Sequence, residues 1–463
     1  MARILLAAAH KSSGKTVVTT GLAAALGSKD QQVQCFKKGP DYIDPMWLSA
    51  ASRRPCYNLD FNAMADNELL ELFCSRSAGA QISLIEANKG LYDGVELDGC
   101  DSNAQLAKLL KLPVILVIDT VGMTRGIAPL LLGYREFDRD INLAGVILNN
   151  VGGARHEGKL RAAVEAYSDI PVVGSVWRTS TLTIGERHLG LITPGESAGL
   201  KAVIAGFSEV IESSVDIDRV AKIAQTAPPL KPAKNNTVPA RANGLRIGIA
   251  RDAAFGFYYP DDLEYFTEVG VELVPINMLE EGQLPDIDGL FIGGGFPETH
   301  LEALANNQPM LTSVKTAIES GLPTYAECGG LMYLCKSLEW NGLSRNLAGV
   351  IPADVTMCAK PQGRGYTVFS PTPNHPWCTQ GQSIPGHEFH YARLDNLPAD
   401  ISYGCTVARG AGIDGSHDGI VAYNLLAGFF HLRNTAANPW IERFVDFVQA
   451  CKCDGLSHSS PAS

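Results

Sequence analysis

The chain has 463 residues, of which 46% are hydrophobic and 19% charged. That length exceeds one ordinary core and predicts two domains or three, and the composition excludes a disordered chain. With 38 Lys+Arg against 49 Asp+Glu the formal net charge is −11, which excludes broad electrostatic binding to nucleic acid or to an anionic membrane. No apolar run approaches the roughly 18–20 residues that span a bilayer, so no membrane partner is expected. Eleven cysteines, an odd number with no secretory signal, read as reduced thiols, and the expected location is cytoplasmic.

In chain order, the first half repeats a short β-rich run, a loop and a helical stretch. The runs are residues 3–9, 33–37, 82–87, 114–119, 144–149 and 172–176. Several are near-continuous Val/Ile/Leu blocks, as strands covered on both faces require, so the expectation is an α/β domain with a doubly wound, mostly parallel sheet. Residues 1–9 are apolar but run directly into a Gly-Lys loop, and they read as the first strand of that sheet. Pro228, Pro229, Pro232 and Pro239 then interrupt the chain, marking an interdomain linker over 226–243 after a first domain of 1–225. The theme restarts in a second α/β domain, 244–453, with strands expected at 246–250, 271–276, 289–292 and 323–326. Residues 342–415, richer in Gly, Pro and Thr, are expected to add antiparallel strands. Residues 454–463 are polar and small and read as a flexible tail.

Ala9-His10-Lys11-Ser12-Ser13-Gly14-Lys15-Thr16 follows the first strand and precedes a helix expected from about Val17. It matches the phosphate-binding G-x-x-x-x-G-K-[ST] loop except at Ala9. Backbone N–H groups and a helix N-terminus hold phosphate oxygens, Lys15 neutralises charge and Thr16 ligates Mg²⁺. Lys11, Ser12, Ser13, Gly14, Lys15 and Thr16 are therefore candidate ATP-binding residues. Asp41, Asp44 and Glu86 lie at the carboxyl ends of later strands, where open α/β sheets bind ligands. Thr16, Asp44 and Glu86 form the candidate metal set. The bland alternative makes Asp41 and Asp44 turn formers around Pro40 and Pro45. Asp93, in Gly90-Leu91-Tyr92-Asp93-Gly94, is a turn residue or a substrate contact.

In the second half, Tyr325-Ala326-Glu327-Cys328-Gly329-Gly330 places a cysteine between a strand and a helix, as in a nucleophile elbow, where the helix N-terminus favours thiolate. Gly293-Gly294-Gly295 closes another strand, and the amides of Gly294 and Gly295 are candidates for an oxyanion hole. His431, in the apolar run Phe429-Phe430-His431-Leu432, is the candidate base for Cys328. His387-Glu388-Phe389-His390 lacks the spacing of a zinc-protease helix, and no metal is assigned there.

Together with Lys38-Gly39-Pro40-Asp41-Tyr42-Ile43-Asp44-Pro45, Glu186-Arg187-His188-Leu189-Gly190-Leu191 and Gly386-His387-Glu388-Phe389-His390-Tyr391, these stretches resemble the cobyrinic acid a,c-diamide synthase family across essentially the whole chain. The resemblance implies a P-loop domain similar to dethiobiotin synthetase, then a class I glutamine amidotransferase domain. It implies an ATP- and glutamine-dependent carbon–nitrogen ligase with Mg²⁺ as cofactor and a tetrapyrrole as substrate, in cobalamin biosynthesis. ATP would phosphorylate the a and c acetate carboxylates of cobyrinate, and ammonia released from glutamine at Cys328 would displace the phosphate. Asp41, Tyr42, Ile43, Glu86 and Asp93 match family positions tied to substrate and metal handling, and Tyr92 lies in the same loop. Class I enzymes usually carry a glutamate two residues after the histidine. Arg433 stands there, so the expectation is a Cys–His dyad without an orienting carboxylate.

Lys89, beside that loop, is a cation suited to an extra ring carboxylate. Residues 119–127 resemble a sirohaem-amidating subgroup, so sirohaem and nickel sirohydrochlorin are alternative rings for the same chemistry. Two readings from other classes are a P-loop nucleotide switch, which leaves Cys328 and His431 without a purpose, and an inactive amidotransferase scaffold, suggested by Arg433. A homodimer is compatible with the sequence but not indicated by it.

Overall fold

A computed structural model describes residues 1–182, 184–187, 190–196, 199–230, 244–378 and 381–458. The chain divides into two compact units, 1–235 and 236–463. Most of the expected linker, 231–243, lies outside the described residues, as do His188, Leu189 and 459–463. Among the described residues no helix is long and apolar enough to cross a membrane.

The first unit is built on seven parallel strands: β1 (Ala2–Ala8), β2 (Val33–Lys38), β3 (Tyr57–Leu59), β4 (Ile82–Glu86), β5 (Val114–Asp119), β6 (Leu143–Val151) and β7 (Val172–Trp177), in the order β3-β2-β4-β1-β5-β6-β7. The three-residue β3 is too short to announce itself in the sequence. The central strands are buried on both faces, which is why they read as unbroken apolar runs rather than alternating ones. Leu5, Ile85 and Leu116 belong to one hydrophobic cluster, while Ile4, Leu84 and Ile115 belong to another. Helix α1 (Lys15–Ser28) starts two residues earlier than expected, directly after Gly14. Helix α2 (Ile43–Ser52) follows β2.

The second unit carries a nine-stranded mixed sheet. Its strands are β8 (Leu245–Ala250), β9 (Val271–Ile276), β10 (Gly289–Ile292), β11 (Thr324–Glu327), β12 (Gly363–Pro371), β13 (Ile384–His390), β14 (Ser402–Arg409), β15 (His417–Ala422) and β16 (Leu425–Gly428), in the order β9-β8-β10-β11-β16-β15-β14-β12-β13. From β9 to β16 the pairing is parallel, and from β16 onward it is antiparallel. A separate four-stranded sheet spans parts of 335–395. Helix α3 (Pro260–Glu268) follows β8, the six-residue α4 (Gly329–Leu334) follows β11, and α5 (Trp440–His458) closes the unit. Thus 454–458, expected as flexible tail, continue a helix whose start is anchored by the fully buried Trp440.

Trp440 packs against Phe266, Phe291, Tyr325 and Phe444, and its Nε1 donates to Asp262 Oδ2 at 3.1 Å. Trp440→Ala therefore removes a large apolar body and a partner of a buried carboxyl at once. The expected cost is at least about 3 kcal/mol, read as a lowered urea midpoint of the second unit's transition.

Candidate active sites

The first site forms at the carboxyl ends of β1, β2 and β4. Gly14 caps α1 with φ +81°, and a Cβ there would lie 2.2 Å from Asn149 Nδ2, so both backbone and space demand glycine. No side chain caps α1, which leaves its first amides for an anion. Asn149, from the end of β6, donates to Ser13 O at 2.9 Å and pins the loop. Ser13 is buried with its hydroxyl on His10 O, whereas Lys11 and Ser12 are exposed. Lys15 donates to Lys89 O at 2.7 Å; burial first, and the charge of Lys37 second, bring its ammonium down to about 8.

Three proposed metal ligands converge here. Thr16 Oγ1 donates to Glu86 Oε1 at 2.9 Å, and Lys37 Nζ bridges Glu86 Oε1 at 2.7 Å and Asp44 Oδ2 at 2.6 Å. The strand register explains the meeting, since Lys37 and Glu86 are direct partners across β2 and β4. Burial raises the Glu86 carboxyl against the pull of Lys37. At Asp44 burial also acts upward, but Lys37, by charge and hydrogen bond, leaves the carboxyl below its usual range. For Lys37 desolvation acts downward and is more than offset by Asp44 and Glu86.

The two readings of the Asp41/Asp44 segment divide between its residues. Asp41 Oδ1 accepts from the amides of Ile43 and Asp44 and so shapes the turn into α2, while burial and Asp44 push it up to about 7. Asp44 joins the charge cluster. Tyr42 is buried and Ile43 half-buried at the start of α2. Asp93 Oδ2 accepts from Gly90 N at 3.0 Å, closing the 90–93 turn. Tyr92 packs on Tyr134 and Phe137 and donates its hydroxyl to Tyr134 O at 2.5 Å. Lys89 holds φ +41° and contributes its carbonyl to Lys15, with its side chain exposed. Lys37 and Asn149 were not singled out from the sequence. A lysine inside the buried run 33–38 was the available signal for the first.

The second site forms where β11 and β16 end side by side. Cys328 has φ +47° and ψ −97°, a strained elbow held by Cys328 N donating to Gly428 O at 2.7 Å. Space around it is tight: a Cβ on Gly294 would lie 2.6 Å from His431 Cε1, and one on Gly329 would lie 3.0 Å from Gly295 N. The glycine turn, the elbow and the histidine are thus brought together. Gly293 N is taken by Tyr258 Oη at 2.9 Å, while Gly294 and Gly295 pair with Phe257 and Phe255. Burial, then Glu298 and Glu327, push the Cys328 thiol well up, so the short α4 does not hold a standing thiolate.

His431 lies just past β16, in an isolated bridge with His387 rather than within a strand. Its Nδ1 sits 3.2 Å from Glu327 Oε2, and both side chains are buried. The expectation that no carboxylate stands beside His431 is therefore corrected: Glu327, the residue before Cys328, lies against its ring. Arg433 turns away from that role. Its Nη2 meets Asp261 Oδ2 at 2.5 Å, its Nε lies 3.7 Å from Asp262 Oδ1, and its guanidinium stands 4.1 Å over the Tyr259 ring.

Comparison with known proteins agrees with this geometry. Residues 4–192 match the CobQ/CobB/MinD/ParA nucleotide binding domain, and residues 246–439 match the CobB/CobQ-like glutamine amidotransferase domain. A cobyrinate a,c-diamide synthase of Magnetococcus marinus is 44% identical, over 95% of this chain and 95% of its own. The chain belongs to the cobyrinate a,c-diamide synthase family. Members from Methanosarcina acetivorans, covering 94% of this chain and 93% of their own, and from Archaeoglobus fulgidus, covering 96% of each, are both 38% identical. The family's pairing of a nucleotide-binding domain with a glutamine amidotransferase domain makes the chain a glutamine-dependent amidoligase, with two α/β domains as expected.

The lowered Lys15 ammonium is partly deprotonated at pH 8, and polyphosphate beside it favours the charged form. ATP binding at pH 8 should therefore take up a fraction of a proton, and uptake should fade towards pH 6, where Lys15 is already charged. Calorimetry in buffers of different ionisation enthalpy measures this, and Lys15→Met should abolish the uptake.

Proposed function

We propose that the protein amidates the a and c acetate carboxylates of cobyrinate, using ATP to activate each carboxylate and glutamine as the ammonia donor. The observation that carries the reading is the presence, in one chain, of a phosphate loop facing a carboxylate cluster and of a cysteine elbow beside a histidine. The relatives described above bear cobyrinate in their names, which favours the corrin ring over sirohaem and nickel sirohydrochlorin.

A carboxylate is a poor electrophile, and its phosphorylation supplies a leaving group. In the first unit the free amides of α1 and the ammonium of Lys15 would take the phosphates. Glu86 Oε2 is buried with no hydrogen-bond partner, an acceptor suited to a hard cation. Thr16, Asp44 and Glu86 would hold Mg²⁺, which when bound neutralises phosphate charge. Asp41, Tyr42, Ile43, Asp93 and the exposed Lys89 are assigned to the ring side, at the start of α2 and on the 89–93 turn. In the second unit the Cys328 thiol attacks the glutamine amide carbonyl as its proton passes to His431. The Gly294 and Gly295 region accommodates the oxyanion, and His431 returns the proton to the departing ammonia. Water then releases glutamate from the thioester. Ammonia attacks the acyl phosphate, forming the amide and releasing phosphate.

The test is product mass after incubation with Mg²⁺, ATP, cobyrinate and either glutamine or ammonium. Wild type should convert two carboxylates to amides with either donor. Cys328→Ala should lose the glutamine-dependent reaction by at least about 1,000-fold and keep the ammonium-dependent one. A nucleotide switch would release no glutamate, and failure to amidate cobyrinate with either donor overturns the proposal.

A further inference from the structure

We infer that Glu327 is the positioning carboxylate of the glutaminase site, replacing by its place before Cys328 the acid that Arg433 displaces two residues after the histidine. This rests on the glutamine hydrolysis proposed above and identifies what orients its base.

The geometry is determined at both carboxylate oxygens. Glu327 Oε1 accepts from Tyr325 Oη at 2.8 Å and from Leu432 N at 2.9 Å, so the carboxylate is fixed both to its own strand and to the residue following His431. That leaves Oε2 directed at His431 Nδ1, 3.2 Å away, with both side chains about 3% exposed. Register makes the reach short: Glu327 pairs with Gly428 across β11 and β16, and His431 follows three residues later. A carboxylate at this point accepts the Nδ1 hydrogen and leaves Nε2 as the lone-pair nitrogen, the tautomer a thiol's base requires.

The surroundings favour the same arrangement. The charge of Arg433 is compensated by Asp261 and Asp262 on α3. His387 stacks on His431 with centroids 4.8 Å apart, and burial, together with the charges of His431 and Arg433, holds it neutral. Glu327 thus stands in hydrogen-bonding contact with the His431 ring. A carboxamide in its place turns an N–H towards Nδ1 and drives the histidine proton to Nε2. The base is then lost while the packing is kept.

The experiment compares wild type with Glu327→Gln for glutamine hydrolysis and for cobyrinate amidation with ammonium. Expected is a fall in glutaminase kcat of at least about 100-fold, with glutamine KM within about threefold and ammonium-dependent amidation retained. Tyr325→Phe, which removes another partner of Glu327 without touching the histidine, should keep kcat within about tenfold. A Glu327→Gln kcat within threefold of wild type overturns the inference, whereas a wild type that hydrolyses no glutamine overturns the function proposed above. Should the variant fail to fold, ¹⁵N spectra of histidine-labelled wild type decide, with His431 assigned by its absence in His431→Asn. A protonated Nδ1 and bare Nε2 support the role, and the reverse tautomer excludes it.

Discussion

Lys37 buries an ammonium group in the interior of the first unit, and the nucleotide site is organised by what that burial demands. A cation with 3% of its side chain exposed is tolerable only where carboxylates meet it, and Asp44 and Glu86 do so at 2.6 and 2.7 Å. Those two carboxylates come from separate places, the start of α2 and the end of β4. The ion triad therefore fixes how the second strand and its helix sit against the strand beside the phosphate loop. Thr16 is tied in through Glu86, and Lys15 has its own charge weakened by burial first and by the charge of Lys37 second. The resulting arrangement is a dry, acidic corner facing free helix amides, suited to polyphosphate accompanied by a hard cation.

The second unit meets the same constraint with different residues. Arg433 is a buried cation satisfied by Asp261 and Asp262, with Tyr259 against its face. This joins the segment after His431 to the N-terminus of α3, and burial together with Asp261 pushes Asp262 up to about 8 despite the arginine. The arginine contributes to architecture at the place where class I enzymes usually carry a carboxylate. The carboxylate beside His431 instead lies one residue before Cys328, so the strained turn at Cys328 and the environment of His431 are set by the same short strand. Burial, then Glu298 and Glu327, push the Cys328 thiol up, so in the glutaminase reaction proposed above its activation would depend on proton transfer to His431 rather than on a standing thiolate.

Much of this was legible in the chain. The apolar runs marked the parallel strands because strands covered on both faces cannot alternate, and all six expected in the first half begin within one residue of their place. Gly14-Lys15-Thr16, Cys328 and the 293–295 glycines announced themselves because strand-to-helix turns that approach ligands tolerate few residue types. Less legible were β3, only three residues long, and the last helix, whose polar end continues from the buried Trp440. The place of His431 beyond its strand was also hidden, because an apolar sequence around a histidine does not state where pairing stops.

The sequence by itself determined the order of elements, the two chemistries and the family, since these follow from local spacing and from motifs with few alternative uses. It could not determine which charges neutralise one another. Lys37 and Glu86 are 49 residues apart and Glu327 and His431 are 104 apart, and each pair exists only through strand register. Arg433 looked like the loss of a catalytic acid, a sound inference from position along the chain. Only the tertiary structure, by bringing the ends of two parallel strands together, placed another carboxylate beside the same imidazole.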